Sequence, residues 1–238
     1  MNENDVVVMS IFVNPTQFNN SEDLEKYPRT LQKDLELIEA LSNKIIVYAP
    51  TVDDIYEGKT VAQNFDYDGL DNEMEGANRP GHFNGVGTIV KKLFEIVQPT
   101  NAYFGEKDFQ QLQIIRKMVA KNNMNINVIG CPIFREANGL AMSSRNERLS
   151  AQAKEKSAFI YKTLKAAKVV FNEKDVKDSV NFVVDAFTNE PDFTLEYFII
   201  ADEASLKTAT VKENGKKYRA FIVAHIEGVR LIDNITLN

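Results

Sequence analysis

The chain has 238 residues, 44% of them hydrophobic and 26% charged, with a formal net charge of −6. A chain of this length buries roughly 70% of the surface its unfolded form exposes, enough for a real core in one large domain or two modest ones. Lys and Arg are interspersed with Asp and Glu throughout and form no basic block, which argues against a nucleic-acid backbone as partner but leaves room for a small anion gripped by a few focused cations.

The only cysteine, Cys131, rules out an internal disulfide, and its place in an apolar run ending at Pro132 suggests a buried thiol in a reducing compartment. No apolar run reaches the roughly 18 residues that a membrane helix needs. The opening residues MNENDVVVMS show no basic stretch followed by a long apolar one, so a cytoplasmic location without a membrane partner is expected.

Val6 to Val13 (VVVMSIFV) is a continuous β-branched and apolar run, as expected of a strand covered on both faces in a parallel sheet. A sheet that opens on such a central-type strand is unusual. Leu31, Leu35, Ile38 and Leu41 then recur at helical spacing behind Pro28, and KIIVY at Lys44 to Tyr48 reads as the next strand, closed by Pro50. Gln63 to Asn78 is weakly patterned and reads as irregular, with room for one short strand. Helical periodicity returns in Val86, Ile89, Val90, Leu93, Phe94 and Val97, followed by a short strand at Ala102 to Phe104, a helix at Gln111 to Val119 and a strand at Asn125 to Ile129. This alternation predicts an α/β fold with a parallel sheet and helices on both sides.

Beyond Pro132 the pattern changes. Helices over Ala151 to Phe171 and Val176 to Phe187 precede strands at Leu195 to Ala201, Tyr218 to Ile226 and Val229 to Ile232, the last two joined by a tight turn at Glu227-Gly228. Two helices and an antiparallel set fit a smaller α+β domain, with the boundary near residues 131–135.

Polar clusters fall at the predicted strand ends, where open α/β sheets place their ligands. They are Asn14-Pro15-Thr16-Gln17, Gly105-Glu106-Lys107-Asp108 continuing to Gln110-Gln111, and Met142-Ser143-Ser144-Arg145; Arg79-Pro80-Gly81-His82 precedes the long helix. An ammonium at Lys107, a guanidinium at Arg145 and the hydroxyls of Ser143 and Ser144 can hold a polyphosphate and neutralise charge as it develops at phosphorus. Equally, the serines fit turn hydroxyls and the arginine a solvated charge. Gln17 and Gln111 suit hydroxyl and carboxylate oxygens, yet either also suits a surface turn, and Asn14 beside Pro15 suits a strand-end cap. His82 fits an anion donor or a helix-start residue, Arg79 an anion or water, and His225 a structural place in a strand.

Metal ligation is weakly signalled: Asp34 lies in a helix within reach of a phosphate-bridged magnesium, but other aspartates are as ordinary. No Cys, His and carboxylate set has zinc spacing and no GxxxxGK[ST] loop is present. Gly85-Val86-Gly87 lacks the third glycine of the dinucleotide fingerprint, which has Val90 in its place, so a dehydrogenase is rejected.

SIFVNPTQF at Ser10 to Phe18, RPGHFNGV at Arg79 to Val86, FGEKDFQQL at Phe104 to Leu112 and REANGLAMSSRNERLS at Arg135 to Ser150 together resemble, in order and near spacing, the motifs of the pantoate–β-alanine ligase (pantothenate synthetase) family. They span about the first two thirds of the chain; the remainder resembles that family's small C-terminal domain more loosely. The resemblance implies a Rossmann-like, nucleotidyl-transferase-type domain over residues 1–132 and an α+β lid domain over residues 133–238. It also implies attack of pantoate on the α-phosphorus of Mg²⁺-bound ATP to give a pantoyl adenylate, displacement of AMP by β-alanine, and a homodimer.

By the same resemblance Gln17 and Gln111 bind pantoate, with Asn14 shaping that end of the pocket and Arg79 and His82 bordering it. Lys107, Ser143, Ser144 and Arg145 contact the ATP phosphates, Met142 and Gly105 lie near the nucleotide, and Asp108 lies on the ribose side. Asp34 matches one of a pair of acidic residues near magnesium; the neighbouring position here is Lys33. An acyl adenylate hydrolyses in water, so a lid that closes over it is expected.

In the family a strand, a loop with MGALHEGH-like residues and a helix come before the VVVMSIFV strand, and the loop supplies two histidines to the phosphates. Here the strand follows Met1-Asn2-Glu3-Asn4-Asp5, so the first βα unit is expected to be missing and an apolar sheet edge exposed, open to aggregation or altered pairing. Either the natural protein is longer and a normal ligase, or the chain is an impaired, noncatalytic homologue that binds pantoate or nucleotide; a ligase adenylating a related hydroxy acid is the other alternative.

Overall fold

A computed structural model of the chain describes residues 3–19 and 21–238. They form two compact units, one made of the residues up to Ala102 with Ile114–Asn127, the other of Tyr103–Gln113 with Val128–Asn238. The Gly105–Asp108 turn and Gln111 thus belong to the same unit as the C-terminal sheet.

In the first unit, β1 (Val7–Ser10) is followed by α1 (Ser21–Glu25) and α2 (Leu31–Leu41), and then by β2 (Ile45–Tyr48), which pairs with β1 in parallel register from Val7↔Ile45 to Ser10↔Tyr48. This is the expected strand–helix–strand unit, but β1 is not covered on both faces. Met9 is 38% exposed, and Ile46 on β2 is 54% exposed. The apolar run marked a strand correctly; the covering of its faces depends on neighbours that periodicity does not show.

α3 (Val52–Tyr56) opens on a reciprocal cap: the Thr51 hydroxyl accepts from the Asp54 amide while the Asp54 carboxylate accepts from the Thr51 amide at 2.7 Å. That backbone bond holds the Asp54 carboxyl below the usual range. The stretch read as irregular contains no strand; it forms a 3-10 turn at Leu70–Asn72 and α4 (Met74–Asn78), leading into α5 (His82–Val97). Tyr67, 1% exposed, organises this stretch by donating its hydroxyl to the Phe83 carbonyl at 2.9 Å. Gly87 makes that approach possible, because a Cβ there would lie 2.2 Å from the Tyr67 hydroxyl. The second glycine of Gly85-Val86-Gly87 therefore serves aromatic packing.

β3 (Asn101–Gly105) pairs with β4 (Asn127–Cys131), and α6 (Phe109–Lys121) runs between them. Cys131 is half-buried, not buried as expected, because it stands at the strand end where Pro132 stops the ladder.

In the second unit the helical stretch expected over Ala151 to Phe171 is two helices, α7 (Ala151–Lys156) and α8 (Ala158–Glu173). The break falls at buried Ser157, whose hydroxyl donates to the Ala153 carbonyl at 2.7 Å, a back-bond that bends helices. α9 (Val176–Thr188) follows, capped by the Asp175 side chain. β5 (Thr194–Asp202), β6 (Tyr218–Ile226) and β7 (Val229–Thr236) form an antiparallel sheet in chain order. Glu227 and Gly228, at φ 49° and 72°, make the β6–β7 turn, the left-handed pair such two-residue hairpins require. One face of the sheet packs Ile200, Ala220, Ile222 and Leu231 against Leu164, Ala167 and Val183 of α8 and α9.

His225 takes the structural place expected of it. Its Nε2 lies 2.7 Å from a Glu196 oxygen, and Arg230 grips the same carboxylate at 2.8 and 2.9 Å, so all three strands are clasped. Arg230, with help from His225, holds the Glu196 carboxyl below its usual value of 4.5 against the opposing effect of burial. A lowered carboxylate stabilises the fold above the unfolded value and loses that contribution as pH falls through the folded one. In urea titrations, Glu196→Gln is expected to be less stable than the parent at neutral pH, the gap closing as pH drops below the ordinary carboxylate range.

Candidate functional site

The candidate residues fall into two groups, one in each unit. In the first, Asn14 is 1% exposed and ends the stretch after β1. Its Oδ1 accepts from the Tyr56 hydroxyl at 2.5 Å and from Thr16 at 3.1 Å, while its Nδ2 donates to the Gly85 carbonyl at 3.1 Å and towards the Gln17 Oε1 at 3.4 Å. Burial pushes the Tyr56 phenol up, outweighing the lowering by its hydrogen bonds to Thr16 and Asn14, so it stays protonated as the donor. With its amide fixed from both ends, Asn14 orients the Gln17 side chain through its Oε1.

The 3-10 turn Pro15–Gln17 is held from the other side by the RPGH segment. The Gln17 carbonyl accepts from Arg79 at 3.2 Å and lies 2.7 Å from His82 Nδ1. His82 is 7% exposed at the first position of α5, behind Gly81 at φ 80°. Of the two sequence readings for His82 the geometry supports the helix-start residue that fixes the loop, and Arg79, read as binding an anion or water, shares that contact: both reach the backbone of the residue that carries the candidate ligand group. Gly85 completes the lock. A Cβ there would lie 2.2 Å from the Thr16 carbonyl oxygen, a distance at which α5 and the turn must part. Gly85→Ala is expected to cost about 1–3 kcal/mol and to loosen the Gln17 turn; thermal melts and substrate titration of the same sample check both effects.

In the second group, Gly105 leads into the 3-10 turn Glu106–Asp108 that precedes α6. Its φ is −67° and nothing lies within 4 Å of where a Cβ would stand. Neither backbone conformation nor packing demands glycine, and open space is the result. Lys107 and Gln111 are half-buried and Asp108 is exposed.

Arg135 to Met142 fold back on themselves, with Arg135 bridging Ala141 and the Met142 amide donating to the Phe134 carbonyl at 2.9 Å. Met142, 49% exposed, then leads to Ser143, Ser144 and Arg145. The Ser143 hydroxyl accepts from the Arg145 amide at 3.2 Å as the cap of the 3-10 turn Ser144–Arg148. The turn-hydroxyl alternative therefore holds for its lone pair, while its own hydrogen remains rotatable.

Asp34 has a local partner. It is in the first turn of α2 and accepts from Thr30 at 3.2 Å. Among the described residues no three His, Cys, Asp or Glu side chains gather as metal ligands, and no helix is long and apolar enough to cross a membrane. These residues do not make a magnesium site on their own.

Several residues that support these groups escaped sequence reasoning. Tyr56 sits within VDDIY, which reads as ordinary helix. Arg219, Asp233 and Asn234 did leave a signal, because polar residues interrupt the apolar runs YRAFIVAHI and VRLIDNIT.

The fold matches solved ligase structures. It superposes on the pantothenate synthetase of Thermus thermophilus with a TM-score of 0.90 and 37% identity, covering 99% of this chain and 85% of that one. The Francisella tularensis pantoate–β-alanine ligase, solved in complex with beta-gamma ATP and β-alanine, matches with a TM-score of 0.78 and 35% identity over 99% and 81% of the two chains. The class is thus an α/β synthetase with an antiparallel C-terminal sheet. The family model for pantoate–β-alanine ligase matches residues 1–236. The pantothenate synthetase of Flavobacterium psychrophilum is 61% identical over all of this chain and 84% of its own length, and that of Bacteroides fragilis is 48% identical over 99% and 83%. The chain belongs to the pantoate–β-alanine ligase family.

Proposed function

We propose that the chain condenses pantoate with β-alanine at the expense of ATP. A carboxylate oxygen of pantoate bonds to the α-phosphorus as the bond to the β-phosphate breaks, so pyrophosphate leaves and pantoyl adenylate remains. The β-alanine amine then bonds to the acyl carbon, AMP leaves, and loss of an amine proton yields the amide of pantothenate.

Gln17 and Gln111 would hold the hydroxyl and carboxylate oxygens of pantoate by uncharged amide contacts, so the attacking carboxylate keeps its charge. Asn14 sets which end of the Gln17 amide faces the acid, and Arg79 and His82 hold the turn beneath it. Lys107 and Arg145, with the hydroxyls of Ser143 and Ser144, would neutralise charge that builds on the phosphates as the α–β bond breaks. Gly105 leaves room for the nucleotide, with Met142 beside it and Asp108 on the ribose side. Magnesium would enter on the phosphates of ATP, the neighbour solved with ATP being consistent with nucleotide binding by this family. Residues 1–132 as nucleotide- and pantoate-binding domain, residues 133–238 as lid, a homodimer and a cytoplasmic location belong to the same proposal.

The observation that carries this reading is the Asn14–Gln17 arrangement. A buried amide fixed by Tyr56, Thr16 and the Gly85 carbonyl also donates to a second amide, within a chain that matches the ligase family model over residues 1–236. The experiment is AMP formation from ATP and pantoate by the purified chain, with and without β-alanine. AMP and pantothenate appearing together only when β-alanine is added would support the ligase. Binding of pantoate and ATP without pyrophosphate release would replace it with a noncatalytic role, and turnover only with another hydroxy acid would move the substrate.

A further inference from the structure

β7 carries two adjacent buried polar residues, Asp233 and Asn234, 5% and 2% exposed. Neighbours along a strand point to opposite faces of the sheet. Asp233 shares a face with Leu231 and Ile235, the side packed by α8. There it accepts both terminal nitrogens of Arg135, at 2.7 and 2.9 Å, while the Arg135 guanidinium lies 3.6 Å from the centre of the Tyr161 ring on α8. Arg135 also donates to the Gly139 carbonyl at 3.1 Å, so the start and the bend of the segment leading to Ser143–Arg145 are tied to one aspartate.

Asn234 faces the other way. Its Nδ2 donates to the carbonyls of both Glu106 and Lys107 at 2.9 Å, and its Oδ1 accepts from Arg219 at 2.7 Å. Arg219 is itself committed. It donates to Glu203 at 2.8 Å, lies 3.5 Å from the Glu106 carboxylate, and sits over the Phe109 ring at 3.9 Å. The two polar residues are further joined by the Asn234 amide, which donates to the Asp233 Oδ1 at 2.8 Å. Burial pushes the Asp233 carboxyl up, with Arg135 and, least, the Lys107 charge opposing it.

A sheet built for stability alone has no use for this. Apolar residues of similar volume would serve as well or better than a buried ion pair and a buried amide. What the polar residues add is direction: two buried carbonyls of one turn and a two-pronged guanidinium each admit few geometries.

We propose that Asp233 and Asn234 are the positioning residues of the ligase, indexing the Lys107 turn and the segment carrying Ser143, Ser144 and Arg145 to one strand. The roles of those cations and hydroxyls rest on the ligase reading; the indexing does not. Reacting groups misplaced by about 1 Å lose on the order of a hundredfold in rate, which is the reason to hold both segments from a common rigid element.

Asn234→Asp tests this. It preserves shape and the acceptor for Arg219, and it puts an oxygen where the donor to the two carbonyls stood. A purely structural role, served by the contact with Arg219, predicts little change. The positioning role predicts that amide exchange in the peptide covering residues 103–108 rises about tenfold or more while β5–β7 stay protected. It also predicts that kcat for pyrophosphate release falls about 10–100-fold with KM for β-alanine little moved. Unchanged exchange in the folded variant overturns the proposal whatever the activity. So does raised exchange with undiminished kcat. Raised exchange in a chain whose parent form has no ligase activity keeps the indexing and removes the ligase reading instead. Should Asn234→Asp fail to fold, Arg135→Lys is read in the same way on the peptide covering residues 140–146. That variant keeps charge opposite Asp233 and loses one prong; unchanged exchange there overturns the proposal.

Discussion

Lys107→Met is expected to lower the rate of pyrophosphate release about 10²–10⁴-fold while leaving the thermal midpoint nearly unchanged. The separation follows from how the residue is held. Its backbone carbonyl is gripped by Asn234, in a turn that Phe109 of α6 anchors to Phe221 on β6 by a ring contact at 6.0 Å. None of these contacts uses the Lys107 side chain. Methionine keeps most of the apolar stem and removes only the ammonium, so the turn remains where it was. The charge matters because the bond that breaks leaves negative charge on oxygens, and a cation already in place stabilises that charge without reorganisation. Stopped-time pyrophosphate release and differential scanning calorimetry on one preparation check the two halves. A variant that melts far below the parent would show that the side chain has a packing role, and one with normal turnover would remove Lys107 from the chemistry.

Arg135→Met is expected to destabilise the chain by about 3–5 kcal/mol at neutral pH, since it leaves a buried carboxylate without its partner. Burial already pushes the Asp233 carboxyl above its ordinary value, and Arg135 is the main influence pulling it back. Once that influence is removed, the carboxyl is raised further in the folded chain. An acid raised on folding is least harmful below its unfolded value, and it destabilises progressively as pH climbs from there through the folded value. The deficit should therefore shrink in acid and grow towards neutrality, the same direction as the effect expected for Glu196→Gln but from a carboxyl that folding raises instead of lowers. The double variant Arg135→Met with Asp233→Leu should recover most of the loss, because apolar residues pack such sites as well as an ion pair does. Guanidinium titrations across pH distinguish this from a loss of packing over Tyr161, which would be independent of pH and would persist in the double variant.

Much of this molecule was legible before any coordinates. The apolar spacing of α2 and α5 and the two-residue turn at Glu227-Gly228 are local signals, and the structure places these elements where the spacing does, within the usual drift at their ends. Four ordered motifs pointed to the family that the comparisons establish. Less legible were the places where a local rule was outvoted. Ser157 breaks a helix that periodicity would run through, because its hydroxyl finds a carbonyl a turn earlier. The stretch from Gln63 to Asn78 looked irregular because its order comes from Tyr67 reaching Phe83, a contact that no period describes.

The sequence by itself determined the α/β alternation, the antiparallel C-terminal meander and the residue types available for chemistry. These depend on periods of two and of 3.6 and on turn residues acting over a few positions. Tertiary structure alone decided which glycines are structural, with Gly85 and Gly87 crowded and Gly105 in open space. It alone showed that Arg79 and His82 hold the Gln17 backbone, and that Asp233 and Asn234, at the far end of the chain, hold Arg135 and Lys107. The physical reason is separation along the chain. Asn234 and Lys107 are 127 positions apart, and a hydrogen bond over that distance leaves no periodic trace. All it leaves in the sequence is a polar residue in an apolar strand, whose partner only the fold can supply.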